Sequence, residues 1–151
     1  MAKSKTARAR TFDTYTTEQH ERLKFLPFVP AIRTRSSDLV FVSGVIGVPD
    51  DYDPAAPLVS VPIEIEAERV FARIRETLAL AGADLGDVVR ITKYMTDLDE
   101  HAGVVTVMRR FFGDHLPTST TIEVKRLVPR GFRLEVDAIA AVGAEPSQPT
   151  R

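Results

Sequence analysis

The chain has no cysteine among its 151 residues. Disulfides, thiolate nucleophiles and zinc sites built on Cys are excluded together. Histidine is scarce, and His20, His101 and His115 lack the i, i+4 spacing that brings two imidazoles onto one metal, so no metal site is expected. Neither sign of charge dominates: 20 Lys and Arg face 21 Asp and Glu, for a net charge of −1. That balance argues against bulk attraction to nucleic acid or to a membrane surface. Long apolar runs are missing as well. Nothing approaches the roughly 20 residues that span a bilayer, and the basic first ten residues carry no apolar stretch of a secretory signal. The expectation is a cytoplasmic protein with neither nucleic acid nor membrane as partner. Neither G-x-S-x-G nor G-x-x-x-x-G-K occurs, so nucleophile-elbow and phosphate-loop chemistry fall away, and no cofactor is expected.

Residues 1–13 carry Lys3, Lys5, Arg8 and Arg10 with little to bury, and are read as a flexible basic tail. Residues 143–151, polar and holding Pro146 and Pro149, are read as a second tail. Between them, 14–142 form one domain, in keeping with a length that supports a single core.

Inside the domain the hydrophobic period switches between two and 3.6. A strand is expected at 25–33, confined to an edge because Pro27 and Pro30 each remove a ladder donor. A second follows at 39–46, then a proline-rich loop over 47–62. Ala67, Val70, Phe71, Ile74, Leu78 and Ala81 form one apolar stripe, predicting a helix over 63–81. Glu64, Glu66 and Glu68 favour its start through the macrodipole, and Gly82 suits its left-handed stop. Residues 87–96 read as a strand. A second helix carries the stripe Val104, Val107, Met108 and Phe111, with Asp97 or Asp99 as N-cap and Gly113 as stop. Two last strands are expected at 120–127 and 132–142, joined by the turn-forming Val128-Pro129-Arg130-Gly131.

The order is ββαβαββ, an α/β (α+β) arrangement in which two helices cover one face of a single mixed sheet. In the last strand Phe132, Leu134, Val136 and Ala138 alternate with Arg133, Glu135, Asp137 and Ile139. In the strand before it Ile122 and Val124 alternate with Thr121, Glu123 and Lys125. The apolar sets are expected to meet the helices, leaving the polar sets for water or for the space enclosed by several subunits.

Four segments in order, FVSGVIGVP (41–49), LALAGADLGDVVRITKYMTDLDE (78–100), FFGDHLPTSTTIEVKRL (111–127) and FRLEVDAIA (132–140), resemble the reactive-intermediate deaminase superfamily, Rid or YjgF. The resemblance covers about residues 27–142. It implies a chorismate-mutase-like fold, a homotrimer, and small-molecule sites in clefts between subunits. Well-known members hydrolyse enamines and imines such as 2-aminoacrylate, and their motif reads P-A-R-S, with the Arg holding the substrate carboxylate. Here Pro117-Thr118-Ser119-Thr120 stands in its place. Ser119 offers one hydroxyl and no charge where a guanidinium would bind bidentately. The family's N-terminal Tyr falls on Phe28, its second-helix Asn on Val105, and the loop before Pro117 is shortened. Together these changes imply a less anionic, more apolar ligand and a chemistry other than ordinary 2-imino-acid deamination.

Glu135 aligns with the family Glu that positions the attacking water. A carboxylate held against apolar walls such as Phe28 and Ile46 suits general acid–base work. The alternative is an ion pair with Arg133 or Lys125. Thr120 and Thr121 could present hydroxyls, and the backbone N–H groups around Ser119 could bind a carbonyl oxygen; two threonines opening a strand is the plainer account. Gly44 matches a family Gly whose backbone approaches the ligand, or else marks a bulge. The catalytic candidates are thus Glu135 and Thr120, and the ligand-binding candidates Phe28, Gly44, Ile46, Val105, Ser119 and Thr121. Arg33, Arg126 and Arg133 are possible substitutes for the absent Arg. The favoured function is an arginine-independent enzyme hydrolysing or tautomerising an imine, enamine or related small carbonyl metabolite. A non-catalytic metabolite-binding trimer is the alternative, and RNA cleavage the weakest reading.

Overall fold

Four strands and two α-helices alternate along the chain in a computed structural model that describes residues 38–53, 55, 59–128 and 130–143. The strand expected at 25–33, with Phe28 and Arg33, lies outside the described residues, as do the first tail and nearly all of the second. β1 runs Asp38–Ile46, α1 Ile63–Leu80, β2 Val88–Met95, α2 His101–Phe112, β3 Thr118–Glu123 and β4 Leu134–Val142.

α1 follows Pro62, whose fixed φ suits a helix entry. Its stripe Ile63, Ala67, Val70, Phe71, Ile74 and Leu78 is buried. It closes as the spacing predicts: Gly82 has φ 72°, its N–H donates to the Ala79 carbonyl, and that of Ala83 donates to the Leu78 carbonyl. α2 begins differently from expectation. Asp97 accepts from the Asp99 N–H and so caps a single 3-10 turn, Leu98–Glu100, while the α-helix starts at His101 without a side-chain cap. The acidic start of α1 is also not a uniform dipole partner. Glu66 is buried and its Oε1 accepts the backbone N–H groups of Arg133, at 2.7 Å, and Leu134, at 3.0 Å. It therefore ties the first turn of α1 to the start of β4.

The sheet is mixed, in the order β1-β4-β2-β3. β4 is antiparallel to both β1 and β2, whereas β2 and β3 run parallel, with α2 as their crossover. Both helices pack on one face. Val42, Val88, Ile91, Met95, Leu134, Val136, Ala138 and Ala140 from the strands meet the stripes of α1 and of α2, the latter Val104, Val107, Met108 and Phe112. Phe71 of α1 packs edge-on against Phe112 of α2, with ring centroids 5.9 Å apart.

β4 alternates as predicted, but β3 does not. It begins at Thr118, and its parallel register sets Thr121 beside Lys93 and Ile122 beside Tyr94. Thr121 consequently lies on the helix side and Ile122, 43% exposed, on the open side, the reverse of the expectation. Register to β2 decides the face, and the alternation Thr121, Ile122, Glu123, Val124 carries no information about it. β3 ends at Glu123, where β2 stops at Met95, and the Val124 N–H closes the pairing by donating to the Met95 carbonyl at 2.8 Å. Among the described residues no helix is long and apolar enough to cross a membrane.

Candidate functional site

On the open face of the sheet, register places Glu135 of β4 between Ile46 of β1 and Tyr94 of β2. The ladder between β1 and β4 is irregular between Val42 and Val45, a bulge that contains Ser43 and Gly44. A Cβ on Gly44 would lie 1.8 Å from Glu135 Oε1. The carboxylate thus occupies space that only a glycine leaves open, which brings together three of the predicted site residues: Gly44, Ile46 and Glu135. Glu135 is half-buried, and among the described residues it has neither a hydrogen bond nor an ion pair. Its neighbour Tyr94 is engaged elsewhere, donating to Asp137 Oδ2 at 3.0 Å. That bond, with the charge of Asp137 behind it, pushes the Tyr94 phenol above its usual pKa.

The alternative ion pair is not formed. Arg133 points to Glu66, with Nε 3.4 Å from Oε2, and also bonds Glu100 and the Val61 carbonyl. This network also removes Arg133 as a substitute cation. Arg126 and Lys125 are exposed, and with Arg130 and Arg133 they line an open cleft of about 650 Å³ that none of the predicted site residues lines.

Thr120 shares the open face with Glu135 but sits on β3, beyond β2. Two strand spacings and a two-residue offset separate them, about 12 Å, so one chain does not join the two catalytic candidates. Ser119 and Thr121 lie on the other face altogether, beside Ile91 and Lys93 under α2. Val105 comes one helical turn after His101, on the same stripe of α2 as His101 and Met108. The candidates therefore form two groups: Gly44, Ile46, Glu135 and Thr120 on the open side, and Val105, Ser119 and Thr121 on the helix side.

The helix-side group surrounds a residue that sequence reading passed over. Lys93 is only 1% exposed, and among the described residues no carboxylate pairs with it. Its Nζ lies 3.5 Å from His101 Nε2 and 4.0 Å from Met108 Sδ. The same His101 nitrogen is 3.3 Å from Thr121 Oγ1. Ser119 Oγ is buried and makes no hydrogen bond. Burial lowers the Lys93 amine to about 8. Burial, followed by the charge of Lys93, holds the His101 imidazole below its usual value. The signal was present in the alternation Ile91-x-Lys93-x-Met95, which puts a lysine on the apolar side of a strand.

Set against known proteins, the family model described as Endoribonuclease L-PSP matches residues 20–142. The chain is 36% identical over 115 residues to protein DfrA of Myxococcus xanthus, covering 76% of this chain and 84% of the relative. It belongs to the YjgF/Rid family. A 2-iminobutanoate/2-iminopropanoate deaminase of Capra hircus is 32% identical over 105 residues, covering 69% of this chain and 73% of that protein. A crystal structure of a YjgF/YER057c/UK114 family member from Mycobacterium tuberculosis superposes with a TM-score of 0.60 at 30% identity, covering 89% of this chain and 100% of that one. Among the described residues of this Rid-family chain, the buried cation beside β3 is Lys93 on β2, opposite Thr121.

Proposed function

We propose that the chain is an arginine-independent Rid-family enzyme that hydrolyses or tautomerises an imine, enamine or related small carbonyl metabolite. Glu135 directs the attacking water or shuttles the proton. The observation that carries this reading is a half-buried carboxylate with no partner among the described residues, lodged where Gly44 leaves room for it. A carboxylate bound into a salt bridge is poorly placed to exchange a proton; Glu135 is not so bound. The names of relatives, deaminases of 2-imino acids among them, supply the reaction class.

The two groups of candidates on opposite faces support a site completed by a second copy, since a sheet of one chain separates them by its own thickness. In a homotrimer, the open-side group of one protomer meets the helix-side group of another across the cleft. RNA cleavage, which the name of the family model suggests, finds no support in a net charge of −1.

The test is to generate imines from several amino acids with an oxidase and to follow their loss with and without the protein. Acceleration by wild type and a fall of at least about 100-fold in Glu135→Ala is expected, the usual scale for removing a positioned acid–base group. Saturable binding of a metabolite that is recovered unchanged, with no acceleration on any imine, would establish a binding protein instead.

A further inference from the structure

We propose that Lys93, with the hydroxyls of Ser119 and Thr121, forms a subsite that takes the carboxylate of a small metabolite, entering along the seam between β3 and α2. The inference rests on the reading above that Ser119 and Thr121 line the ligand site. Three observations carry it. The Lys93 side chain is 99% enclosed, given its 1% exposure, and among the described residues it has no acid to balance its charge. A buried ammonium in that state is held at a cost, and a ligand anion relieves it. Ser119 Oγ is buried without a hydrogen bond, although it can both donate and accept. Thr121, directly opposite Lys93 in the parallel ladder, directs its hydroxyl to the His101 nitrogen, 3.3 Å away, that also faces Lys93.

One cation and two hydroxyls match a single negative charge shared by two oxygens. A phosphate would require a second fixed cation. His101 does not provide one, because burial and the neighbouring ammonium favour its neutral form. β3 is an edge of the sheet among the described residues, and Thr121 and His101 beside Lys93 are themselves partly exposed. The acid-binding cation is then carried by β2, one strand away from the motif position that holds Ser119. The ligand class is then a small monocarboxylate, the reverse of the less anionic ligand expected from Ser119 alone.

The experiment is isothermal titration of the full chain with 2-oxobutanoate and with butanone, its analogue without the acid, at pH 7. Wild type is expected to bind the acid at least tenfold tighter than the ketone. Lys93→Met and Thr121→Val are expected to lose at least tenfold and about threefold of that affinity, and Glu76→Gln on the exposed side of α1 to keep it within threefold. Equal affinity for acid and ketone, no binding of the acid by wild type, or Lys93→Met binding as wild type does would overturn the subsite. The two readings fail separately. Lys93-dependent binding with no imine turnover leaves the subsite standing without the enzyme, while Glu135-dependent turnover with Lys93-independent binding does the reverse.

Discussion

Gly44 and Lys93 are each defined by what their surroundings lack, a side chain at one and a counter-charge at the other. Gly44→Ala puts a methyl group onto the Glu135 carboxylate, whose end is flexible and can swing aside. Folding stability should therefore fall by less than about 1 kcal/mol. Imine turnover should fall by about tenfold or more, because the acid–base group has been displaced. A variant that keeps full activity in the same oxidase-coupled assay would show that the Glu135 position is irrelevant. For Lys93 the sign follows from its amine, lowered from 10.5 to about 8 in the folded chain. The unfolded chain binds more protons between those values, so stability rises with pH across that window and the penalty is fully present below about 8. At about 1.36 kcal/mol per pH unit, the penalty is on the order of 3 kcal/mol. Lys93→Met should be more stable than wild type at pH 7, with the advantage shrinking towards pH 10.5. Urea midpoints measured over that range check it.

The elements show which parts of the fold were legible in the sequence. α1 came through because its stripe is long and regular and Gly82 marks its end. β4 came through because strict alternation admits one orientation only. β3 was misread in its facing, since Thr, Ile, Glu and Val on a short edge strand look equally plausible either way round. Its orientation is imposed by β2 through a parallel ladder that no local pattern announces. The site shared that fate. Glu135 and Gly44 were named through resemblance to family positions and Ile46 as an apolar wall beside them, but the Lys93, His101 and Thr121 cluster needs three elements folded together. Glu66 was read only as an acid favouring the start of α1 through the macrodipole and is also the buried peg joining α1 to β4. Glu66→Ala strands two backbone N–H groups and removes one of the two carboxylates held by Arg133, a loss of about 3 kcal/mol in urea unfolding. Glu66→Gln keeps an acceptor and should lose about half as much. Equal losses in the two variants would assign the effect to packing.

Over the whole molecule, the open face is what a single chain leaves unfinished. Leu39, Phe41 and Ile122 are 47%, 71% and 43% exposed there, around the polar Glu135, Asp137 and Tyr94. A homotrimer would cover them, and light scattering should then give about three times 16.7 kDa. Phe41→Asp sets a charge in that interface and should shift the mass towards the monomer, with loss of imine turnover in step. A trimer indifferent to this change would have to be built on a different surface.

The place of β4 has a consequence for how the protein is made. The last of the described strands lies in the middle of the sheet, and among the described residues it alone connects β1 to the parallel pair β2 and β3. Until Val142 has been synthesised, β1 on one side and β2 with β3 on the other have no strand ladder between them. The sheet must therefore wait for β4, and a chain cut before residue 134 would present two strand edges with no central strand to pair them.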